Sequence, residues 1–415
     1  MFFLRYLGYL NDINRTYLMY TPEITEFPEF SLERLLATCF SFVETETLEV
    51  CILIDLPDLS LMLGHKFLDE AGFSVQKYAH DVFLKSLKEG VSERLGLTGN
   101  DFFAFKSTGG SNLDPEDELT NFDGDTLTFT EDICPKYDLI LAITDFSLTA
   151  PLTAMAKEYG FRGATLHGVN EIILKSGLSV DYEKISAQAE LLRSVLDKAD
   201  AFELDFEALG TNSTLRIECD RQTAQKSHGL CPPGKPDVAN LPAGEVYFVP
   251  KGARGAFPFR FPDGTLARMN VSDGSIVEAI LLRGNEELVA DRNRKLEDDP
   301  ATGIIGELGF GTQLLPFSGR DIQDEKIFGT CHIATGRSDH LGGHITPSLF
   351  NSKQNASHDD ILYAPPKTPE ITITQVRMYK DGKVSPILEN FEPTPFLINE
   401  VKHGYPVEQF AHGVS

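Results

Sequence analysis

The chain has 415 residues, more than one hydrophobic core usually serves, so two closely packed domains are expected. Its formal charge of −25 argues against nucleic-acid partners and anionic membrane surfaces, because phosphate contact needs clustered Lys and Arg. No apolar run approaches the ~20 residues that span a bilayer, and residues 1–10 lack the apolar core and small-residue cleavage site of a signal peptide.

In chain order, residues 50–55 and 138–144 are short apolar runs that read as buried strands. Amphipathic stretches at 79–95, 150–159 and 181–199 predict helices between and after them. Strand and helix in alternation predict an α/β N-terminal domain with a mostly parallel sheet, over residues 1–230. No G-x-G-x-x-G follows a strand, so nothing predicts a dinucleotide site. Residues 225–243, with Pro232, Pro233, Gly234 and Pro236, are stiff and aperiodic and read as the linker. Beyond it, Asp263-Gly264, Asp273-Gly274 and Asp381-Gly382 separate β-rich runs as hairpin turns do, and 285–296 reads as a helix. Residues 231–415 are therefore expected to form a β-rich α+β C-terminal domain that carries the site. The six cysteines, at 39, 51, 134, 219, 231 and 331, include no C-x-x-C and read as reduced thiols of a cytoplasmic protein. Cys331 adjoins a candidate ligand, but a free Cys is more often a small buried hydrophobe.

The candidate chemistry lies in the last third. Residues two apart on a strand share a face, so His358 and Asp360 would point together while Asp359 points away. Such a pair can be a metal clamp but by itself is more often a solvated strand face. Glu245 opens a β-branched and aromatic run, where a surface strand-end carboxylate is the plain alternative. Glu307 lies among glycines and bulky apolar residues, which predicts a buried carboxylate that needs a partner. His332 is a polar residue in an apolar segment, as a satisfied core histidine also is. Three carboxylates and two imidazoles together match the inventory of a site for two divalent cations that activate a water.

These segments resemble the thermophilic aminopeptidase T family of metallopeptidases. The matching pieces are residues 240–246, 306–312, Asp324-Glu325-Lys326-Ile327 leading into 329–336, Gly342-Gly343, and His358-Asp359-Asp360. With upstream pieces at 162–165, 180–182 and 210–215, the resemblance covers roughly residues 135–385. It implies a homodimeric aminopeptidase acting on small peptides, with two divalent ions (Zn, Co or Mn) held by Glu245, Glu307, His332, His358 and Asp360. Glu307 is the glutamate expected to take the water's proton. The family's assisting tyrosine is replaced here by Asp339, followed by His340, and one of these is expected near the leaving amine. The same segments are similar, more distantly, to the 2,5-dihydroxypyridine 5,6-dioxygenases, which hold one Fe(II) on two His and one Asp. In that pattern Glu307 stands where a His is expected, while His358 and Asp360 are kept. A Fe(II)-dependent ring-cleaving dioxygenase is therefore the alternative function, and a non-catalytic metal- or peptide-binding protein a further one.

Overall fold

The computed structural model describes residues 26–42 and 47–401. The reading of residues 1–10 lies outside the described residues. The fold is mixed α/β, built on three sheets, one of them partly parallel.

The apolar run at 50–55 forms the central strand, Leu48–Leu56, of a seven-stranded sheet, and the run at 138–144 forms its neighbour, Leu139–Ala142. The sheet runs Val238–Asn240, Arg162–Thr165, Leu139–Ala142, Leu48–Leu56, Leu97–Lys106, Glu118–Thr120, Thr126–Thr128. The first five strands are parallel, and the last two close the edge antiparallel. Apolar clusters cover both faces, one around Val50, Ile52, Ile54, Phe83 and Leu141 and the other around Cys51, Leu53, Phe105 and Leu152. A strand buried on both faces must be apolar throughout, which is why these runs show no alternation. The predicted helices appear as Thr149–Tyr159, Tyr182–Leu196 with Asp181 as its N-cap, and Glu286–Asp298 capped by Asn285. Over 79–95 the chain is helical but irregular, with wide turns and a left-handed Gly90 (φ 111°).

The two other sheets are antiparallel. One has eight strands, from Ser275–Arg283 at one edge through Ala201–Ala208 to Glu392–Pro393 at the other. All three Asp-Gly pairs turn its hairpins; Asp273-Gly274 and Asp381-Gly382 have both residues at positive φ. The other has five strands, in the order His358–Tyr363, Cys331–Gly336, Ile305–Gly311, Glu245–Phe248, Gln225–Ser227. The two sheets share one core, in which Phe202 meets Phe248 and Phe310 at ring-centroid distances of 5.2 Å and Phe206 meets Tyr363 at 4.9 Å.

Two expectations need correction. The segment 225–243 is no linker: Gln225–Ser227 is the edge of the five-stranded sheet and Val238–Asn240 the edge of the parallel one. Nor do the sheets divide at residue 230, since Ala201–Ala208 and Thr211–Glu218 pair with Ile371–Lys380 and Gly252–Arg260. Short edge strands carry little periodicity, and proline is tolerated beside them, so composition alone reads them as loop. Among the described residues no helix is long and apolar enough to cross a membrane.

Candidate metal centre

The five-stranded sheet presents two unlike faces. Val246, Phe248, Leu308, Phe310, Cys331, Ile333 and Tyr363 point into the shared core. With a period of two, the residues between them must point the other way, and these are Glu245, Glu307, His332, His358 and Asp360. The five predicted ligands therefore occupy one face of one sheet. Register explains how they fit. Glu245 is opposite Gly311, His332 opposite Gly309, His358 opposite Gly336, and Ala334 lies between Glu307 and Asp360. Each functional side chain leans over a residue with little or no side chain. At Gly309 a Cβ would run into the His332 ring.

The groups converge. His358 Nε2 lies 3.0 Å from Glu307 Oε2 and 3.3 Å from Asp360 Oδ1, and His332 Nε2 lies 3.6 Å from both Glu245 Oε2 and Glu307 Oε1. Three sets of donors have ligand atoms within 4.8 Å of one another: Glu245, Glu307 and His332; Glu307, His358 and Asp360; and Glu325, His332 and Asp360. Glu307, His332 and Asp360 each belong to two of them, and Glu307 joins the Glu245 side of the cluster to the His358 side. His358 Nδ1 donates to the carbonyl of Arg337 at 2.6 Å, which fixes the ring and turns Nε2 toward the carboxylates. Glu245 Oε2 and His332 Nδ1 are buried without a hydrogen-bond partner. A buried carboxylate oxygen left unpaired beside imidazoles and further carboxylates fits a divalent cation, the chemistry that would satisfy it.

Electrostatics point the same way. Burial pushes the Glu307 carboxyl up, but His332 and His358 outweigh it and hold it well below the usual carboxylate range. Burial opposes charge on His332, yet Glu307, Glu325 and Glu245 raise it to about 9. His358 is likewise raised well above its ordinary value, against burial, by Asp360 and Glu307. Glu325 goes the other way: burial lifts it to about 8 despite the adjacent Lys326. The cluster draws positive charge to itself.

A cavity of about 180 Å³ lies over this face. Its far wall comes from the parallel sheet, where Ser147 and Thr149 follow Leu139–Ala142 and Asn240 ends Val238–Asn240. The crevice outside the carboxyl ends of parallel strands is the usual ligand position of such sheets. Asn112, Ser147, Thr149, Thr165 and Asn240 are joined there by successive contacts of 3.3, 3.0, 2.7 and 3.2 Å. His340 lines the cavity, its ring edge-on to His358 at 4.9 Å, and its Nδ1 makes no hydrogen bond but lies 3.9 Å from Asp339 Oδ1. Asp339 does not line the cavity: both its oxygens are bound by Arg337, at 2.7 and 3.3 Å. Cys331 faces the core, its thiol pushed up to about 12 by burial.

Sequence reading overlooked several residues of this site. Glu325 and Lys326 are buried against the usual exposure of Glu and Lys, and nothing local in the sequence signals it. Tyr247, the phenol of the cavity, shares the ligand face with Glu245 two residues away and was readable from alternation. Asn112, Ser147 and Thr149 gave no local signal at all.

No protein-family model matches the chain, and no curated protein matches it by sequence. Among solved structures it is similar to the 2,5-dihydroxypyridine dioxygenase of Pseudomonas putida KT2440, with a TM-score of 0.52 and 14% identity over 84% of this chain and 92% of that one. At that identity the likeness shows a shared fold. It gives the dioxygenase side of the sequence resemblance a structural counterpart.

Proposed function

We propose that this chain is a metal-dependent enzyme that binds a divalent cation through Glu307, His358 and Asp360, and that its chemistry is Fe(II)-dependent oxygenation of a small dihydroxypyridine-like ring. The observation that carries the reading is the convergence of these three side chains beneath a cavity, in a fold shared with a dihydroxypyridine dioxygenase over 92% of that chain. When bound, a divalent cation supplies Lewis-acid polarisation, and Fe(II) adds one-electron chemistry with dioxygen. The protein's own groups do the rest. The Arg337 carbonyl orients His358, the amide and hydroxyl wall from Asn112 to Asn240 orients the substrate, and His340 lines the cavity beside His358. The set has one carboxylate more and one imidazole fewer than the 2-His-1-carboxylate triad of many Fe(II) oxygenases.

A specific observation favours a second reading. Glu307 is shared between two donor sets, the second completed by Glu245 and His332, and five such donors suit two cations (Zn, Co or Mn) and hydrolysis of a small peptide by an aminopeptidase. Two measurements decide. Elemental analysis of purified protein gives cations per chain. Protein loaded anaerobically with Fe(II) is assayed for oxygen uptake with 2,5-dihydroxypyridine, and protein loaded with Zn, Co or Mn is assayed on aminoacyl amides and dipeptides. The oxygenase reading expects one iron per chain and oxygen uptake with ring loss. Two cations per chain with amide hydrolysis and no oxygen uptake would replace it with the second reading.

A further inference from the structure

Lys326 is 1% exposed, and no role in the reading above accounts for it. A buried ammonium is costly unless paired, and this one is paired twice, with Glu245 Oε1 at 2.7 Å and Glu325 Oε1 at 2.5 Å. Its backbone is held as firmly: the Lys326 carbonyl accepts from the N–H groups of Thr312 at 2.9 Å and Gln313 at 2.8 Å, just beyond the Glu307 strand. The ammonium is thus a fixed charge on one side of the cluster. Among the described residues, neither Glu307 nor Asp360 has an ion pair with any Lys or Arg; their partners are His332 and His358.

We infer that Lys326 is a built-in cation that divides the cluster into one strong and one weak metal position. The strong position is Glu307, His358 and Asp360, where no Lys or Arg competes among the described residues. The weak one is Glu245, Glu307 and His332. There Glu245 has already given Oε1 to the ammonium and has only Oε2 left. A divalent ion on Oε2 sits one carboxylate's width from a fixed positive charge, and like charges repel strongly in a buried, low-dielectric setting. The five donors then yield one resident cation at low metal concentration and a second only at high concentration. This inference rests on the metal-centre reading above and deepens it. A lysine that merely positioned Glu245 would have the opposite signature, since its loss would weaken binding.

The test is a titration of metal-stripped full-length protein with Mn(II), followed by calorimetry and by competition with a chelator. Wild type should show two positions of unequal affinity. Lys326→Gln, which keeps polar contacts without the charge, should tighten the weak position by on the order of tenfold and leave the strong one unchanged. Lys326→Arg should preserve the gap. Glu245→Gln should abolish only the weak position, and Asp360→Asn should abolish the strong one. Lys326→Met is the second charge-free variant should Lys326→Gln melt early in circular dichroism. Equal affinities in wild type, a single position in both proteins, or weaker binding in both charge-free variants would overturn the inference. No Mn(II) binding by wild type at all would instead overturn the metal-centre reading itself.

Discussion

The two faces of the five-stranded sheet are made by the same strands and have nothing chemically in common. On one face Phe248, Leu308, Phe310 and Ile333 build a core with the eight-stranded sheet; on the other Glu245, Glu307, His332 and Asp360 build a charged cluster over glycine and alanine. A strand's period of two lets one sequence serve both ends, because adjacent residues never compete for a face. The lesson is that stability and site chemistry are separable here by single-residue steps along a strand, and each claim can be broken residue by residue.

The largest expected effect is on the core face. Phe248→Ala removes a fully buried ring that meets Phe202 and should cost ~3–5 kcal/mol, read as a lower midpoint in urea unfolding. Metal binding by the fraction still folded should be near that of wild type; loss of both together would show the faces to be coupled. On the neighbouring strand, one residue from Phe248's partner Leu308 and on the other face, Glu307→Gln should do the reverse. It removes a donor shared by two sets and should lower cation affinity by on the order of 100-fold, with the melting temperature of the metal-free protein little changed. Wild-type affinity in this variant would take Glu307 out of the centre.

Gly309→Ala tests the register between the faces. The added methyl meets the His332 ring, so the variant should lose ~1–3 kcal/mol of stability and also bind metal more weakly. An unaffected metal affinity would mean that His332 is not a ligand. Smaller again is Cys51→Ser in the parallel sheet. The thiol is fully buried in an apolar cluster, so a hydroxyl there should cost ~1–3 kcal/mol and leave metal affinity intact. The smallest effect concerns acid stability. Burial raises Glu203, but Tyr379, Arg377 and Arg216 outweigh it and depress the carboxyl. A depressed folded pKa gives stability that is present above the ordinary glutamate value of about 4.3 and lost as pH falls through the folded value. Glu203→Gln should therefore flatten the acid limb of a stability-against-pH curve below about pH 4.3. An unchanged limb would show that this network contributes nothing measurable.

The alternation of Glu245-Val246-Tyr247-Phe248 and the spacing of His358 and Asp360 determined, without any structure, that these groups share a strand face, because side-chain direction follows from local backbone geometry. The buried parallel strands at Leu48–Leu56 and Leu139–Ala142, the capped helices at Asp181 and Asn285, and the Asp-Gly turns were equally local and equally readable. Strand order was not. Whether Gln225–Ser227 and Val238–Asn240 form a linker or two sheet edges depends on partners far away in sequence, and only the fold supplies those. The same holds for the site. The tertiary structure alone brought Asn112, Ser147 and Asn240 opposite the carboxylates and tied Asp339 to Arg337. It also set the Lys326 ammonium between Glu245 and Glu325, because a charge's partners are chosen by packing across the chain and leave no periodic trace in it.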